Sequence, residues 1–357
     1  MTSDRAVKTA IFGCGAIAPA YARNLTGPLR RHVHLVACAD LLPESAAKCA
    51  REFDLRATSP DALLADPEIE LVINLTPAPA HHATSRAILQ AGKHLFSEKP
   101  LALSREEGRE LLAEAAARGL QVAGAADTFL GAGLQAGRRL VEAGEIGVPL
   151  SAQAIVGLGM YHSQRYNHVF RGPLLDMGSY FLTALVALLG PLARVAGLAE
   201  LRFPERPHAP GSDTTFRLEV ASTTAAAFAF ANGAVGTFIA SSDVSRYDSR
   251  LELHGTAGTL VLSDPNAYGG EVTVHRADGS HTYRNLPGFS APGRGLGVAE
   301  FALALRSHRP ARSNGALMYH VLDAMLAIPD SSASGRQVQL ESSVERPAEF
   351  DVGTVME

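Results

Sequence analysis

Lys99, Asp176 and Tyr180 carry side chains able to move a proton, although Lys99 in Glu98-Lys99-Pro100 is equally readable as half of a surface ion pair ahead of a loop. Lys99 stands in Glu98-Lys99-Pro100, directly after the short apolar run HLFS. Asp176, Tyr180 and Thr183 recur at i, i+4 and i+7 in PLLDMGSYFLTALVALLG, so a helix would stack them on one face. The remainder of that helix is apolar, and an unpaired carboxylate on a buried face is costly. The stripe is therefore either a set of satisfied core groups or a surface for a hydroxylated ligand. A phenol at its usual pKa of about 10 is a weak base at neutral pH, and a neighbouring ammonium lowers that value. Lys99 is the candidate ammonium. Together the three side chains suit general acid–base chemistry on an alcohol.

A second group of residues suits a dinucleotide. GCGAIA, Gly13 to Ala18, matches G-x-G-x-x-[GA]. It ends the apolar run KTAIF and opens a helical pattern, and the next apolar run, HLVACAD, closes on Asp40. In this context Gly13 and Gly15 allow a tight turn. The backbone of Gly13, Gly15, Ala16 and Ile17 can then approach a pyrophosphate at a helix N-terminus. Asp40 would accept hydrogen bonds from a ribose diol. Its carboxylate repels a 2′-phosphate, and Leu41 and Leu42 supply no cation, so NAD is expected over NADP. A basic side chain arriving from elsewhere would reverse that preference. GAGLQA, Gly131 to Ala136, matches the same pattern, but the strand after it carries no acid, so it is expected to be a decoy.

The elements that must position these groups fall into two styles. Up to about residue 125, short apolar strands alternate with helical patterns, which implies βαβ units and a parallel sheet. From about Asp127, helical stretches near 134–143 and 174–189 sit among many strand-like runs, several separated by turn signals such as Asn232-Gly233 and Asp278-Gly279. Two more helices are expected near 298–307 and 316–327. The expected fold is α/β: an N-terminal Rossmann doubly wound parallel sheet in residues 1–125, then an α+β domain with a large, mostly antiparallel open sheet in residues 126–357. Runs such as AAAFAFA and AVGTFIAS carry apolar or small residues on both faces, whereas the helices suffice for one. The other face is expected to meet a second copy, giving a homodimer or homotetramer.

Composition excludes several classes. A net charge of −4 over 357 residues gives no drive toward nucleic acid or an anionic membrane, and the absence of Trp disfavours base-stacking platforms. No run reaches the 18 or more apolar residues of a membrane helix. Cys14, Cys38 and Cys49 are an odd number without framework spacing, which suits a reducing cytoplasm. The basic and apolar N-terminal stretch superficially resembles a signal peptide, but two glycines and a proline interrupt it.

Several motifs occur in a fixed order: GCGAIA, LTPAPAHH, AGKHLFSEKPLALS, EAGEIGVP, GPLLDMGSYFLTAL and, near the end, RSNGALMYHVLDAMLAI. From about Thr9 to about Leu340 they resemble the glucose–fructose oxidoreductase/inositol dehydrogenase/rhizopine-catabolism (Gfo/Idh/MocA) family. The resemblance implies a Rossmann domain plus an open-sheet domain, and oxidation or reduction of sugars, cyclitols or related alcohols with NAD(P). It puts Lys99 at the family's catalytic lysine and Asp176 and Tyr180 on the substrate helix. It puts Thr76, Pro77, His81 and Glu98 on the cofactor side. Histidine is most common where this chain has Tyr180; tyrosine there resembles the branch with glucose–fructose oxidoreductase, dihydrodiol dehydrogenases and sugar ketoreductases. Thr183 stands where many inositol dehydrogenases have an acid, and Phe170 and Arg171 replace part of a glycine run.

The loop YHSQRYNH, Tyr161 to His168, offers His162 and Arg165 to a polyol, and is equally readable as an ordinary polar loop. No metal-binding spacing accompanies its histidines, and no G-x-S-x-G elbow supports a hydrolase. Two other classes remain beside a dehydrogenase: a redox-neutral glycosidase that uses tightly held NAD, and a dinucleotide-sensing regulator. The joint presence of Lys99, Asp176 and Tyr180 speaks against the sensor.

Overall fold

The computed structural model describes residues 5–159, 172–209, 211–284 and 293–356. They form two compact units. The first gathers the described residues of 1–130, 290–319 and 351–357, and the second those of 131–289 and 320–350.

The first unit is a Rossmann fold. Its chain runs β1 (Val7–Phe12), α1 (Ala18–Thr26), β2 (Val33–Ala39), α2 (Pro43–Phe53), β3 (Arg56–Thr58), α3 (Pro60–Ala65), β4 (Leu71–Asn74), α4 (Ala78–Gln90), β5 (His94–Ser97), α5 (Arg105–Ala117) and β6 (Val122–Gly124). The six strands lie in the order β3-β2-β1-β4-β5-β6, all parallel. Val7, Ala10, Ile11, Leu71, Val72, Ile73, Leu95 and Phe96 are fully buried, as parallel strands covered on both faces require. The strand order reverses between β1 and β4, the switch point at which such sheets bind ligands beyond the strand carboxyl ends. β3 and α3 were not expected from the sequence; both are short, and α3 is announced by Ser59, whose hydroxyl caps Ala62 N at 3.3 Å, with Pro60 and Asp61 in its first turn.

The chain also returns to this unit, which an expected division near residue 125 does not include. Helix Leu296–Arg306 ends in Arg306, whose guanidinium grips both oxygens of Glu70 at 2.8 Å. Asn314 pairs with Ala123 beside the sheet, and Met318 joins the core that contains Val72, Leu95 and Val122. Glu300, fully buried, accepts from the Nη1 atoms of Arg309 and Arg312 at 2.6 and 2.8 Å.

The second unit begins with α6 (Ala132–Glu142), β7 (Pro149–Leu158) and α7 (Pro173–Leu189). Then follow β8 (Leu192–Glu200), β9 (Glu205–Pro207), β10 (Thr215–Arg217), β11 (Thr223–Phe230), β12 (Val235–Ser241), β13 (Tyr247–Gly255), β14 (Thr259–Leu262), β15 (Val272–Arg276), β16 (Gly279–Tyr283) and later β17 (Val338–Gln339). Nine strands form one sheet in the order β16-β15-β14-β13-β7-β12-β11-β8-β17. Every neighbouring pair is antiparallel except β7 and β12. The Asn232-Gly233 and Asp278-Gly279 turns join β11 to β12 and β15 to β16 as expected. The run TTFRLEVAS does not continue as one strand; only Thr215–Arg217 pairs, in a small sheet with β9.

Along β11 and β12, Ala226, Phe228, Phe230, Phe238 and Ala240 are buried, and Phe238 packs against Phe181 of α7 with ring centroids 5.7 Å apart. The alternate residues face the other way. Ile239, Ala225 and Leu198 lie across from one another on that second face, and Leu198 is 64%, Val235 53% and Ile239 39% exposed.

Candidate active site

The glycine loop is shaped by its neighbours. Gly13 N–H donates to Ala39 O at 2.8 Å, which pulls the chain across the end of β2. Gly13 has φ +103°, and a Cβ there would lie 2.7 Å from Leu75 C and 2.8 Å from Thr76 N. Only glycine fits where the ends of β1 and β4 approach so closely. Gly15 differs: nothing lies within 4 Å of the position of its absent Cβ, and Gly15 and Ala16 are exposed. Ile17 caps α1 without any side-chain hydrogen bond; Ala18 N donates to Gly15 O at 3.2 Å and Ala20 N to Ile17 O at 3.1 Å, while Pro19 has no N–H. An open loop ahead of a helix N-terminus without a side-chain cap fits a pyrophosphate, which the positive end of the helix dipole favours.

Asp40 has a second function beside the one expected of it. Its Oδ2 accepts from Cys14 N at 2.7 Å and its Oδ1 from Leu42 N at 2.9 Å. The acid thus fixes the glycine loop while remaining partly exposed at the strand end. Leu41 and Leu42 are 83% and 57% exposed, so the residues after the acid present only apolar surface.

At the ends of β4 and β5 the expected cofactor residues divide into exposed and structural. Asn74, fully buried as the last residue of β4, organises the turn: its Oδ1 accepts from Thr76 N at 3.1 Å and Thr76 Oγ1 at 2.6 Å, and its Nδ2 donates to Ser85 Oγ at 2.9 Å. The sequence reading missed Asn74, although a polar residue closing the apolar strand LVIN was a usable signal. Pro77 opens α4 from its N-cap position. His81 is held by the chain's own backbone. Its ring is 1% exposed, with Nε2 2.7 Å from Thr76 O and Nδ1 2.8 Å from Pro100 O, and burial holds its pKa below the usual value. It is a positioning residue that ties the turn after β4 to the turn after β5. Glu98 Oε1 likewise accepts from the buried Tyr21 hydroxyl at 2.7 Å, and Oε2 from Lys99 N at 3.1 Å. These bonds make Glu98 an anchor for the backbone of Lys99. Lys99 itself is 6% exposed, two residues beyond the end of β5.

In the second unit, α7 is buried along its whole length, with Asp176, Tyr180 and Thr183 5%, 4% and 4% exposed. One helical turn separates the carboxylate from the phenol. The charge of Asp176 also acts on Tyr247, whose hydroxyl donates to Asp264; burial first, and then that acid, push the Tyr247 phenol up. Tyr247 was not singled out from the sequence, where nothing distinguishes it from other strand tyrosines. His162 and Arg165, with Phe170 and Arg171, lie outside the described residues. The decoy loop behaves as one: a Cβ on Gly131 would lie 2.0 Å from Tyr268 O, and one on Gly133 2.9 Å from Gly269 O, so these glycines serve close packing.

Residues 7–125 match the family described as "Oxidoreductase family, NAD-binding Rossmann fold", and residues 134–261 match the "GFO/IDH/MocA C-terminal domain". The chain belongs to the Gfo/Idh/MocA oxidoreductase family. Among relatives, trans-1,2-dihydrobenzene-1,2-diol dehydrogenase of Bos taurus is 27% identical over 81% of this chain and 82% of that protein. The dTDP-3,4-didehydro-2,6-dideoxy-alpha-D-glucose 3-reductase of Streptomyces violaceoruber is 29% identical over 96% of each. A solved structure of levoglucosan dehydrogenase in complex with NADH and L-sorbose matches with a TM-score of 0.81 and 23% identity, over 94% of this chain and 99% of that chain; at that identity the likeness speaks for the fold. This Gfo/Idh/MocA chain is thus an enzyme of the dehydrogenase and reductase class with an NAD-binding Rossmann unit. Among the described residues no helix is long and apolar enough to cross a membrane.

Proposed function

We propose that the enzyme transfers hydride between NAD and a carbinol carbon of a sugar, glycoside or cyclic polyol. Tyr180 is the acid/base, Lys99 its electrostatic partner, and Asp176 the group that orients a substrate hydroxyl. The observation that carries this reading is the buried α7, which sets a carboxylate and a phenol one turn apart in a protein whose Rossmann unit presents a lysine just past a strand end. Bound NAD would supply the hydride acceptor for oxidation, and its reduced form the donor for reduction. Tyr180 takes the hydroxyl proton in oxidation and returns it in reduction. The Lys99 ammonium favours the phenolate and so brings a poor base closer to neutral pH. A substrate hydroxyl donating to Asp176 adds a hydrogen bond to a buried carboxylate, which favours a polyhydroxylated ligand over an apolar one.

The tyrosine-containing branch suggested by Tyr180 agrees with the names of two relatives, a dihydrodiol dehydrogenase and a sugar 3-reductase. Asp40, followed by exposed leucines, supports NAD over NADP. The exposed face of the large sheet, with Leu198, Val235 and Ile239, supports pairing with a second copy in a homodimer or homotetramer. Three free thiols suit the reducing cytoplasm.

The test is kinetic. Tyr180→Phe keeps the ring and removes the proton carrier; it is expected to lower kcat by ~10²–10⁴-fold with NAD affinity nearly unchanged. Screening polyols, aldoses and glycosides should give NADH in step with product, whereas a redox-neutral glycosidase accumulates none. Near-native turnover in Tyr180→Phe together with its loss in Lys99→Met would make the lysine the base.

A further inference from the structure

Cys14, Cys38 and Cys49 are 24 and 11 residues apart in sequence, yet their Sγ atoms all lie within 4.8 Å of one another. The fold brings them together from three places: the loop after β1, the C-terminal end of β2 and the buried side of α2. Cys38 is 0% and Cys49 5% exposed, whereas Cys14 is only partly buried and sits between Gly13 and Gly15.

We propose that these three cysteines form a three-sulfur site for a thiophilic divalent cation of the zinc class, built into the dinucleotide loop. Some point lies within about 2.8 Å of all three sulfurs for any triangle of that size, against about 2.3 Å for a Zn–S bond. Inward shifts of about 0.5 Å, within reach of side-chain adjustment, would close the difference. Sulfur donors select soft and borderline cations over magnesium or calcium. Charge selects the valence. Three thiolates carry three negative charges, and the Asp40 carboxylate lies on the backbone of Cys14 at 2.7 Å. A divalent ion leaves one net charge on the sulfurs and a monovalent ion leaves two, and buried uncompensated charge is costly. Among the described residues no fourth His, Cys, Asp or Glu joins the group. The fourth position is therefore left to solvent, on the side of partly exposed Cys14, which is also the way in. Because Cys14 belongs to the glycine loop, occupancy fixes the loop that faces the dinucleotide.

The full-length protein, reduced and freed of metal by chelator, is titrated with cadmium chloride and separately with zinc chloride. Thiolate-to-cadmium absorption and metal content after desalting are measured. The expected result is one ion per chain. Cys14→Ser, close in size and at a partly buried position, should weaken binding by more than the ~10–100-fold that loss of a merely supporting partner costs, with its thermal unfolding without metal unchanged. Should the Cys38→Ser or Cys49→Ser variants fail to fold, thiol labelling of the native protein decides: zinc should block Cys14, the one partly exposed thiol of the three, and chelator should restore its reactivity. Substoichiometric cadmium binding at micromolar protein, undiminished binding by Cys14→Ser, or a Cys14 thiol equally reactive with and without zinc would overturn the site.

Discussion

Gly13 and Gly15 stand two residues apart, and alanine at each should fail in a different way. At Gly13 the backbone has φ +103°, where a residue with a Cβ is strained by about 1–2 kcal/mol. The new methyl would meet Leu75 C, Thr76 N and Leu75 O at 2.7, 2.8 and 2.9 Å. All three are backbone atoms at the end of β4, so a strand end must shift, at about 1–3 kcal/mol for overpacking. The sum, about 2–5 kcal/mol, is a large part of a typical folding free energy of about 5–15 kcal/mol. At roughly 2–4 °C per kcal/mol for a unit of this size, Tm should fall by roughly 4–20 °C. At Gly15 no atom lies within 4 Å of the new methyl. Gly15→Ala should leave Tm unchanged or raise it slightly, through a gain of about 0.4–1 kcal/mol from the stiffer unfolded chain. The methyl would, however, stand where the pyrophosphate approaches, at a cost in NAD binding of about 1–3 kcal/mol, or roughly 5–150-fold in Kd. Differential scanning calorimetry and NAD titration by isothermal calorimetry measure the two effects separately. Wild-type NAD affinity in Gly15→Ala would refute the placement of the dinucleotide on this loop, and an unchanged Tm in Gly13→Ala would refute the close approach of β1 and β4.

The wild-type enzyme should bind NAD more tightly than NADP, and Asp40→Ser combined with Leu41→Arg should reverse that order; dissociation constants for both nucleotides check it. His320 gives a pH dependence. It is fully buried, Nε2 accepts from Leu192 N at 3.0 Å, and Nδ1 lies 2.9 Å from Ser342 Oγ, whose hydroxyl donates to Asp323 at 2.6 Å. Burial holds its pKa below the ordinary value, so the neutral ring's contribution is fully present above a pH of about 6.5 and lost as pH falls through the lower folded value. Thermal unfolding from pH 4 to 8 should show that slope in the wild type and a shallower one in His320→Gln. Ile239→Glu with Leu198→Glu should convert the expected oligomer to monomers by light scattering while α7 keeps its packing, and a wild type that is already monomeric at micromolar concentration refutes the sheet-to-sheet assembly.

The first half of the Rossmann unit is legible in sequence because its signals are local. KTAIF, the two glycines, Pro43 and the terminal Asp40 each act within a few residues of themselves, and the structure puts β1, α1, β2 and α2 where they point. β3 and α3 escaped because three and six residues are too few to establish a period. The roles of His81 and Glu98 escaped for another reason: residue type marks both as polar and reactive, and only the fold reveals that Thr76 O, Pro100 O and the Tyr21 hydroxyl already occupy them. The cysteines are the extreme case. Spacings of 24 and 11 carry no meaning along the chain, and acquire one only when the parallel pairing of β1 with β2 and the packing of α2 converge on one point.

The return of residues 293–319 to the Rossmann unit sets the order in which the protein can be made. As the chain leaves the ribosome, β1 to β6 emerge first, but Glu70, Ala123 and Asp127 then wait for Arg306, Asn314 and the backbone of Gly297. About 160 residues of the other unit are synthesised in that interval. The dinucleotide unit is begun early and finished late, so a nascent chain arrested anywhere in between exposes an unfinished sheet edge and the carboxylates of Glu70 and Asp127 to chaperones and proteases. Any attempt to transplant this unit by a single cut near residue 125 would inherit the same unfinished state permanently.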